Sequence, residues 1–257
     1  MGMLVVLSPA KGQNFDSAAL EIKCTEPRLL ANSCELINTL RNYSANDLMS
    51  LMNVSAKIGA LNADRFATFN IPFNETNAKP AAFAFTGDVY KGLNINEFDS
   101  DDLDYAQSHL RILSGLYGVL RPLDLIQPYR LEMGTKLNTQ SGTDLYEYWG
   151  TSLSDLLMQD LKNMENNQII NLASNEYFKA IDGYDPEISV ISPVFREWKN
   201  DKYKIISFFA KNARGAMAKW IVKNKIDRPE ELIAFNEDGY TYSDEHSTVD
   251  SPVFLRG

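Results

Sequence analysis

The stretch RILSGLYGVLRPLDLIQPYRLEMG, residues 111–134, has the strongest influence on how this chain is expected to fold. It combines three glycines, two prolines and three arginines with apolar residues in nearly every gap: Gly115, Gly118, Gly134, Pro122, Pro128, Arg111, Arg121 and Arg130. Helix interiors exclude this much Gly and Pro, and ordinary surface loops do not carry this much apolar bulk. The composition therefore predicts a half-buried, glycine-hinged segment that carries arginine side chains.

The glycines of this stretch suggest a specific use. The pattern of residues 103–118 is helical, and Gly115 and Gly118 are predicted to end that helix and to turn backbone N–H groups towards a phosphate. Pro122 would then begin the next element. A helix–hairpin–helix DNA-binding element works through such a hairpin, although its two glycines are normally separated by one residue. The rival candidate for this element is residues 45–69, which read as two helices joined by a tight turn at residues 53–55.

The rest of the chain alternates between strand and helix patterns. Strands are predicted at residues 3–8, 82–85, 167–174, 187–195 and 202–210, from apolar and β-branched runs of strand length. Helices are predicted at residues 26–41 and 211–225, and the tail from residue 240 resembles a closing β-hairpin. No linker or repeat interrupts this order. The sequence predicts one compact α/β (or α+β) domain over residues 1–257, with a mixed sheet and surrounding helices.

Composition narrows the functional classes. The chain has 257 residues, and none of its apolar runs approaches the roughly 18 residues that span a bilayer. The N-terminus lacks the basic and apolar regions of a signal peptide. Two cysteines, Cys24 and Cys34, do not form a disulfide framework, which favours a cytoplasmic protein. With two histidines beside them, no spacing resembles a metal site, so no metal or cofactor is predicted.

Charge is distributed unevenly. The net charge is −9, yet residues 195–225 contain nine bases and two acids. Acidic residues gather elsewhere, notably at residues 94–104. On the helix at 211–225, Lys211, Arg214 and Lys225 are predicted to share a face away from the apolar stripe. Such a basic ridge suits a phosphate backbone, and it equally suits a solvated helix face.

Several loops that follow predicted strands combine small residues with charged ones. SPAKG places Lys11 after the first strand, TGDVYKG places Asp88 after the second, and NLASNEYFK places Glu176 and Lys179 after a later one. In open α/β sheets, ligands bind outside the carboxyl ends of the strands. If these loops converge, they form a polar pocket with cationic walls. No Walker, GxGxxG, HExxH or GxSxG motif is present, so nothing in the residues demands an enzyme.

Five motifs together resemble one family. SPAK at 8–11, GDVYKGL at 87–93, LSGLYGVLRPLDLIQPYRLEMGTKL at 113–137, INLASNEYFK at 170–179 and KIISFFAKNARGAMAKWI at 204–221 are similar to those of the YaaA family of peroxide-stress proteins. They follow the family's order and span most of the chain.

The resemblance implies a cytoplasmic bacterial protein that limits iron-driven damage to DNA during hydrogen peroxide stress. It implies an α/β fold with a positively charged cleft, a helix–hairpin–helix element and binding to double-stranded DNA, without a cofactor. The cleft candidates carried over from the matching motifs are Lys11, Arg111, Arg121, Arg130, Lys136, Lys179, Lys204, Lys211 and Arg214.

Two alternatives to DNA binding stay open at this point. The first is an enzyme that acts on a small anionic or nucleotide-like substrate in the same cleft. Lys11 and Arg130 would hold the anion, while Asp88, Glu132 or Glu176 would act as acid or base. The second is direct iron binding by carboxylates, for which no cluster has the required spacing.

Overall fold

The fold alternates short strands with helices, in the order that the sequence predicts. The computed structural model describes residues 2–16, 22–162, 164, 167–181, 185 and 187–257. The strands there are β1 (Leu4–Leu7), β2 (Gly12–Gln13), β3 (Lys79–Pro80), β4 (Phe85–Thr86), β5 (Leu110–Ser114), β6 (Gly118–Leu120), β7 (Leu125–Ile126), β8 (Gln168–Leu172), β9 (Ser189–Ile191), β10 (Val194–Trp198), β11 (Tyr203–Lys204), β12 (Thr241–Tyr242) and β13 (Val253–Arg256). The helices of four or more residues are α1 (Leu30–Leu40), α2 (Ala45–Leu51), α3 (Ala56–Thr68), α4 (Ala81–Ala84), α5 (Asp88–Leu93), α6 (Ser100–His109), α7 (Leu145–Trp149), α8 (Ser152–Leu161), α9 (Asn175–Phe178) and α10 (Ser207–Asn224).

The main sheet is mixed and has the order β6-β5-β1-β8-β9. Strand β1 lies at its centre and pairs in parallel with β5 and with β8, with Val5 opposite both Leu110 and Ile170. All four residues of β1 are buried, as the apolar run at 3–8 predicts for a strand covered on both faces. Strand β9 continues the parallel array beside β8, and β6 pairs antiparallel with β5. The predicted α/β class with a mixed sheet is confirmed.

A second sheet has the order β11-β10-β13-β12. The predicted single strand at residues 187–195 is divided between the two sheets, because Pro193 has no N–H group with which to continue a ladder. The segment before it joins the main sheet as β9, and the segment after it forms β10. Strands β12 and β13 pair antiparallel, which confirms the closing hairpin predicted in the tail.

The stretch at residues 111–134 folds differently from the prediction. Helix α6 ends at His109, and the chain continues as the antiparallel hairpin of β5 and β6, so the predicted helix over 103–118 is wrong in its second half. Gly118 adopts a left-handed φ of +68° as the chain enters β6. Gly115 and Gly118 thus belong to a β-turn region and not to a helix–hairpin–helix element. The apolar run is buried as a strand pair, which explains its lack of helical amphipathicity.

The helix pair predicted at residues 45–69 is present as α2 and α3. Ser44 caps α2 in a capping box with Asp47, and the hydroxyl of Ser55 accepts a hydrogen bond from the backbone N–H of Ile58 at the start of α3. Asn53 in the connecting turn has a φ of +50°, the left-handed conformation that glycine would otherwise supply. The assignment of the α2–α3 pair as the helix–hairpin–helix element stays a prediction.

Two other predicted strands are partly or mostly helical. Residues 207–210 form the first turn of α10, and β11 accounts for just two residues of the strand predicted at 202–210. Ile205, Phe208 and Phe209 in that apolar run are exposed, so it does not form a buried core strand. Residues 81–84 form the short helix α4, whose three alanines favour a helical turn.

Helices α5 and α10 cross at very close range. A Cβ atom at Gly215 of α10 would overlap the Val89 carbonyl oxygen of α5, and one at Gly92 would overlap the Asn212 carbonyl oxygen. Glycine is required at this crossing because the two backbones touch. The contact fixes the start of α5, with Asp88, relative to Lys211 and Arg214 on α10.

The buried apolar side chains form one continuous cluster that includes residues from both larger sheets, such as Val5 and Phe254. Helices α1, α8 and α10 contribute residues to the same cluster, including Leu36, Leu157 and Met217. None of the helices in the described residues has both the length and the apolar character that a membrane crossing requires.

Candidate functional site

A polar cavity opens at the carboxyl ends of β1 and β8. Its volume is about 460 Å³, which is in the range of small-molecule sites. The segments that line it are the loop after β1, the start of α5, residues 129–132, the loop after β8, and α10. This is the position at which parallel α/β sheets bind ligands. The three strand-following loops that the sequence singled out therefore meet in one place.

Hydrogen bonds between two serines hold the loops after β1 and β8 together. The backbone N–H of Ser174 donates to Ser8 Oγ at 2.8 Å, and the two hydroxyl oxygens lie 3.3 Å apart. The hydroxyl of Tyr90 in α5 donates to the Ser8 carbonyl oxygen at 3.0 Å. Because these bonds link three of the lining segments, the cavity is preorganised without a ligand.

Glu132 bridges two cations on the cavity wall. Its carboxylate accepts from Lys11 Nζ at 2.9 Å and from an Arg130 guanidinium nitrogen at 2.7 Å. Arg130 Nε is buried and has no hydrogen-bond partner within the described residues. One carboxylate therefore serves two cations, which leaves each incompletely compensated.

The other two candidate carboxylates also line this cavity. Glu176 accepts a hydrogen bond from the backbone N–H of Gly134 at 3.0 Å, which joins the residue 132–136 segment to the loop after β8. Asp88 begins α5 and lies 3.8 Å from Lys91 Nζ, one turn along the same helix. Asp88, Glu132 and Glu176 thus converge as the enzyme alternative requires, although none of them is paired directly with another.

Arg214 is the least compensated charge of the cavity. Its Nε atom is buried without a hydrogen-bond partner, and no carboxylate of the described residues forms an ion pair with its guanidinium. Burial lowers the pKa of Arg214, and no opposite charge counteracts that effect. Lys211, one turn earlier on α10, is exposed and lines the same cavity.

Two buried tyrosines complete the wall, and the sequence reasoning missed them. Burial raises the pKa of both Tyr129 and Tyr177, so their hydroxyls are neutral over the physiological range. The Tyr129 hydroxyl lies 2.6 Å from Ser114 Oγ. Their positions beside Arg130 and Glu176 in the sequence were the available signal, since chain neighbours of a lining residue often share its site.

Three further predicted phosphate contacts lie outside the cavity lining. Lys136 and Lys179 are exposed on segments that adjoin it, two residues after Gly134 and three residues after Glu176. Lys179 Nζ lies 5.0 Å above the ring of Tyr146. Lys204 is part of β11, in the second sheet, and is partly exposed.

The structure corrects the expectation for Arg111. The side chain is buried, its Nε donates to Asp160 at 2.6 Å, and its Nη1 donates to the carbonyl oxygens of Gln107 and Leu110. Burial lowers the pKa of Arg111, and the hydrogen bond and charge of Asp160 oppose that effect. The guanidinium is inside the protein and fully engaged, so it has no access to a DNA phosphate.

Arg121 is also held by the protein. Its guanidinium donates to Asp124 at 2.9 and 3.1 Å and contacts the Glu26 carbonyl oxygen. Asp124 is completely buried and accepts from Thr25 as well. This ion pair organises the residues after β6, so Arg121 is a structural residue and a poor phosphate contact.

The basic ridge predicted on residues 211–225 is shorter than expected. Lys219 pairs with Glu97, and Lys223 and Lys225 both pair with Asp102, so the acidic stretch at 94–104 neutralises the C-terminal half of α10. Burial alone would raise the pKa of Asp102, but hydrogen bonds from these two lysines and the backbone of Asp99 lower it to about 2. The uncompensated cations of α10 are those at its cavity end.

No group of three or more His, Cys, Asp or Glu side chains in the described residues is arranged to hold a metal ion.

These features define an α/β protein with a preformed, ligand-sized polar cavity at the ends of its parallel strands. A family model described as "Peroxide stress protein YaaA" matches residues 3–246, and the chain belongs to this family. It is 52% identical over 254 residues to a UPF0246 protein of Alcanivorax borkumensis, covering 99% of this chain and 98% of that one. It is 49% identical to a UPF0246 protein of Saccharophagus degradans, covering 99% of each. The resemblance inferred from the five motifs is confirmed, and membership supports a role in the peroxide-stress response.

Proposed function

We propose that this protein acts in the peroxide-stress response by binding double-stranded DNA in the cytoplasm through its phosphates, and so helps to limit iron-driven oxidative DNA damage. The observation that carries the proposal is a group of exposed lysines on segments that meet around one cavity. This group, the basic rim, consists of Lys11, Lys136, Lys179 and Lys211.

The basic rim has the properties of a phosphate-contacting surface. Within the described residues, Lys136, Lys179 and Lys211 form no ion pair, so their charges are available to a partner. Lysines that are already exposed lose little hydration when they meet a phosphate, and they release condensed counterions from DNA. Contacts of this kind position a protein on DNA without reading the base sequence.

The overall charge of −9 is compatible with this proposal because part of the acidic charge is used internally. Glu97 and Asp102 pair with the lysines in the C-terminal half of α10, away from Lys211 at its other end. Long-range repulsion of DNA is screened within about 10 Å at 0.1 M salt. Affinity is therefore expected to be modest and strongly dependent on salt.

The α2–α3 pair is a second proposed DNA contact, as the helix–hairpin–helix element of this fold. The first backbone N–H groups of α3 lie at a helix N-terminus, which favours an anion. Lys57 is exposed in that first turn and would support a phosphate there.

The direct test is fluorescence anisotropy with a labelled duplex at two salt concentrations. Lys179→Glu/Lys211→Glu is expected to weaken binding at least tenfold, and to reduce the log–log salt slope by about 0.9 for each lost phosphate contact. The matched control is Lys23→Glu/Lys162→Glu, which makes the same charge change at exposed lysines outside the rim. Absence of salt-dependent binding, or an equal loss in the control, would contradict the proposal.

The protective part of the proposal needs a measurement in cells. A strain that lacks the protein would be complemented with the wild type, the rim variant or the control variant, and oxidative DNA lesions would be counted after hydrogen peroxide exposure. Wild type and control should lower the lesion frequency, and the rim variant should not. Equal protection by all three would separate the peroxide-stress role from DNA binding.

A further inference from the structure

The cavity contains a feature that contact with DNA does not explain. We propose that it is a binding site for a small molecule carrying a carboxylate or phosphate group, which is held by Arg214 and Lys211. This inference goes beyond DNA binding and does not rest on it.

The surroundings of Arg214 are the first argument. A charge withdrawn from water is destabilising unless an opposite charge or hydrogen bonds compensate it. Arg111, which is more deeply buried, has Asp160 and two backbone carbonyls as partners. Arg214 has an unsatisfied Nε atom and, among the described residues, no carboxylate partner, although it lines a cavity. An unpaired guanidinium in such a place is suited to bind an oxyanion through parallel N–H donors.

The charge balance of the wall is the second argument. The cationic lining residues are Lys11, Arg130, Lys211 and Arg214, and the anionic ones are Asp88, Glu132 and Glu176. Glu132 is shared between Lys11 and Arg130, and Glu176 accepts from a backbone N–H. An anionic group would satisfy the α10 side of the cavity, where Lys211 and Arg214 have no acidic partner among the residues that the structure describes.

The remaining wall indicates what else the ligand carries. Glu176 and Asp88 contribute carboxylates to the lining. These groups suit hydrogen-bond donors, such as hydroxyl or amino groups, on the body of the ligand. A volume of about 460 Å³ accommodates a molecule of that kind and is far too small to admit a DNA duplex. The chemistry therefore favours a polar metabolite-sized oxyanion.

The test is isothermal titration calorimetry with three probes: inorganic phosphate, succinate and adenosine monophosphate. At least one probe should bind the wild type with a saturable isotherm, and Arg214→Gln should weaken that binding at least tenfold. Tighter binding of phosphate than of succinate would assign the anion as a phosphate, the reverse order would assign it as a carboxylate, and a further gain with adenosine monophosphate would indicate a nucleotide body. Saturable binding of none of the three would overturn the proposal.

The control variant is Arg228→Gln, because Arg228 is an exposed arginine with its own acidic partners. It should bind the probe as the wild type does. Lys211→Gln provides an independent variant at an exposed position, where misfolding is not expected, and should weaken binding at least threefold. Unchanged affinity in both Arg214→Gln and Lys211→Gln would contradict the site.

Thermal unfolding without any probe distinguishes a binding role of Arg214 from a structural one. Removal of a partly buried charge without an acidic partner among the described residues should leave the melting temperature of Arg214→Gln equal to or higher than that of the wild type. A melting temperature several degrees lower would show that Arg214 stabilises the fold, and would overturn the proposal. Lys179→Gln, at a rim lysine outside the cavity lining, should leave the probe affinity within twofold, so failure of the small-molecule site and failure of the basic rim give different results.

Discussion

Two regions of this molecule withdraw arginines from solvent, and they do so in different ways. In the first region, between β5 and α8, Arg111 and Arg28 share the carboxylate of Asp160, with three nitrogen–oxygen distances between 2.6 and 2.9 Å. In the cavity at the strand ends, Arg214 has no acidic partner within the described residues and Arg130 has a shared one. Arg28 Nε is also buried without a hydrogen-bond partner, so the two regions differ in their acidic partners and not in unsatisfied Nε atoms. The difference separates arginines that stabilise the fold from arginines placed for binding.

The largest expected loss of stability comes from breaking the ion-pair cluster around Asp160. Asp160→Ala would leave Arg111 and Arg28 without their carboxylate, and orphaning a buried ion pair typically costs about 3–5 kcal/mol. Urea denaturation should show that loss in the free energy of unfolding. The probe affinity of the folded protein should be unchanged, because Asp160 does not line the cavity. A loss below about 1 kcal/mol would mean that the region is not a structural ion-pair cluster.

An intermediate loss of stability is expected at the α5–α10 crossing, which positions two segments of the cavity wall. Gly215→Ala places a Cβ atom against the Val89 carbonyl oxygen, and overpacking of this kind costs about 1–3 kcal/mol. Because the α5–α10 crossing sets Asp88 relative to Arg214, this variant should also weaken probe binding, unlike Asp160→Ala. Normal stability of Gly215→Ala, measured by urea denaturation, would contradict the close approach.

The smallest effect is expected in a third arrangement, where partly exposed lysines pair with a buried carboxylate. Lys223 and Lys225 lie beside Asp102, and solvent screens the lysine side of both ion pairs. The pKa of Asp102 is lowered from its usual value to about 2. The stabilisation of the folded state by ionised Asp102 is therefore present above about pH 4 and disappears as the pH falls towards 2. The difference in unfolding free energy between wild type and Asp102→Asn should narrow over that interval, and a constant difference would argue against the ion pairs.

Local patterns explain which parts of the fold were predictable. Strand β1, strand β8 and the closing hairpin followed from short apolar and β-branched runs. The α2–α3 pair followed from helical periodicity and from Ser55 as a cap. These elements are determined by neighbours in the sequence, so the sequence alone was sufficient for them.

Elements whose conformation depends on distant contacts were predicted less well. Residues 110–120 are a β-hairpin because β5 pairs with β1, more than a hundred residues earlier in the chain. The apolar run at the start of α10 was interpreted as a strand, although most of it is exposed and helical.

The candidate site shows the same division. Loops after strands correctly indicated that Lys11 and Glu176 would approach one another, since the parallel strands β1 and β8 bring their carboxyl ends to one edge. Asp88 joins them from β4, which pairs antiparallel with β2 outside the main sheet. Which arginines are paired inside the protein could not be predicted, because the partner of Arg111 lies 49 residues away in sequence. A pattern of charges reports where cations are, but pairing in three dimensions determines which of them remain available.

The most direct measurement compares the two arginines side by side. The free energy of unfolding without ligand would be determined by urea denaturation for the wild type, Arg111→Gln and Arg214→Gln. Arg111→Gln is expected to lose about 3 kcal/mol or more, because it leaves part of a buried ion pair uncompensated. Arg214→Gln is expected to lose nothing or to gain stability. Equal losses in the two variants would show that both arginines stabilise the fold, and would contradict the distinction between the two regions.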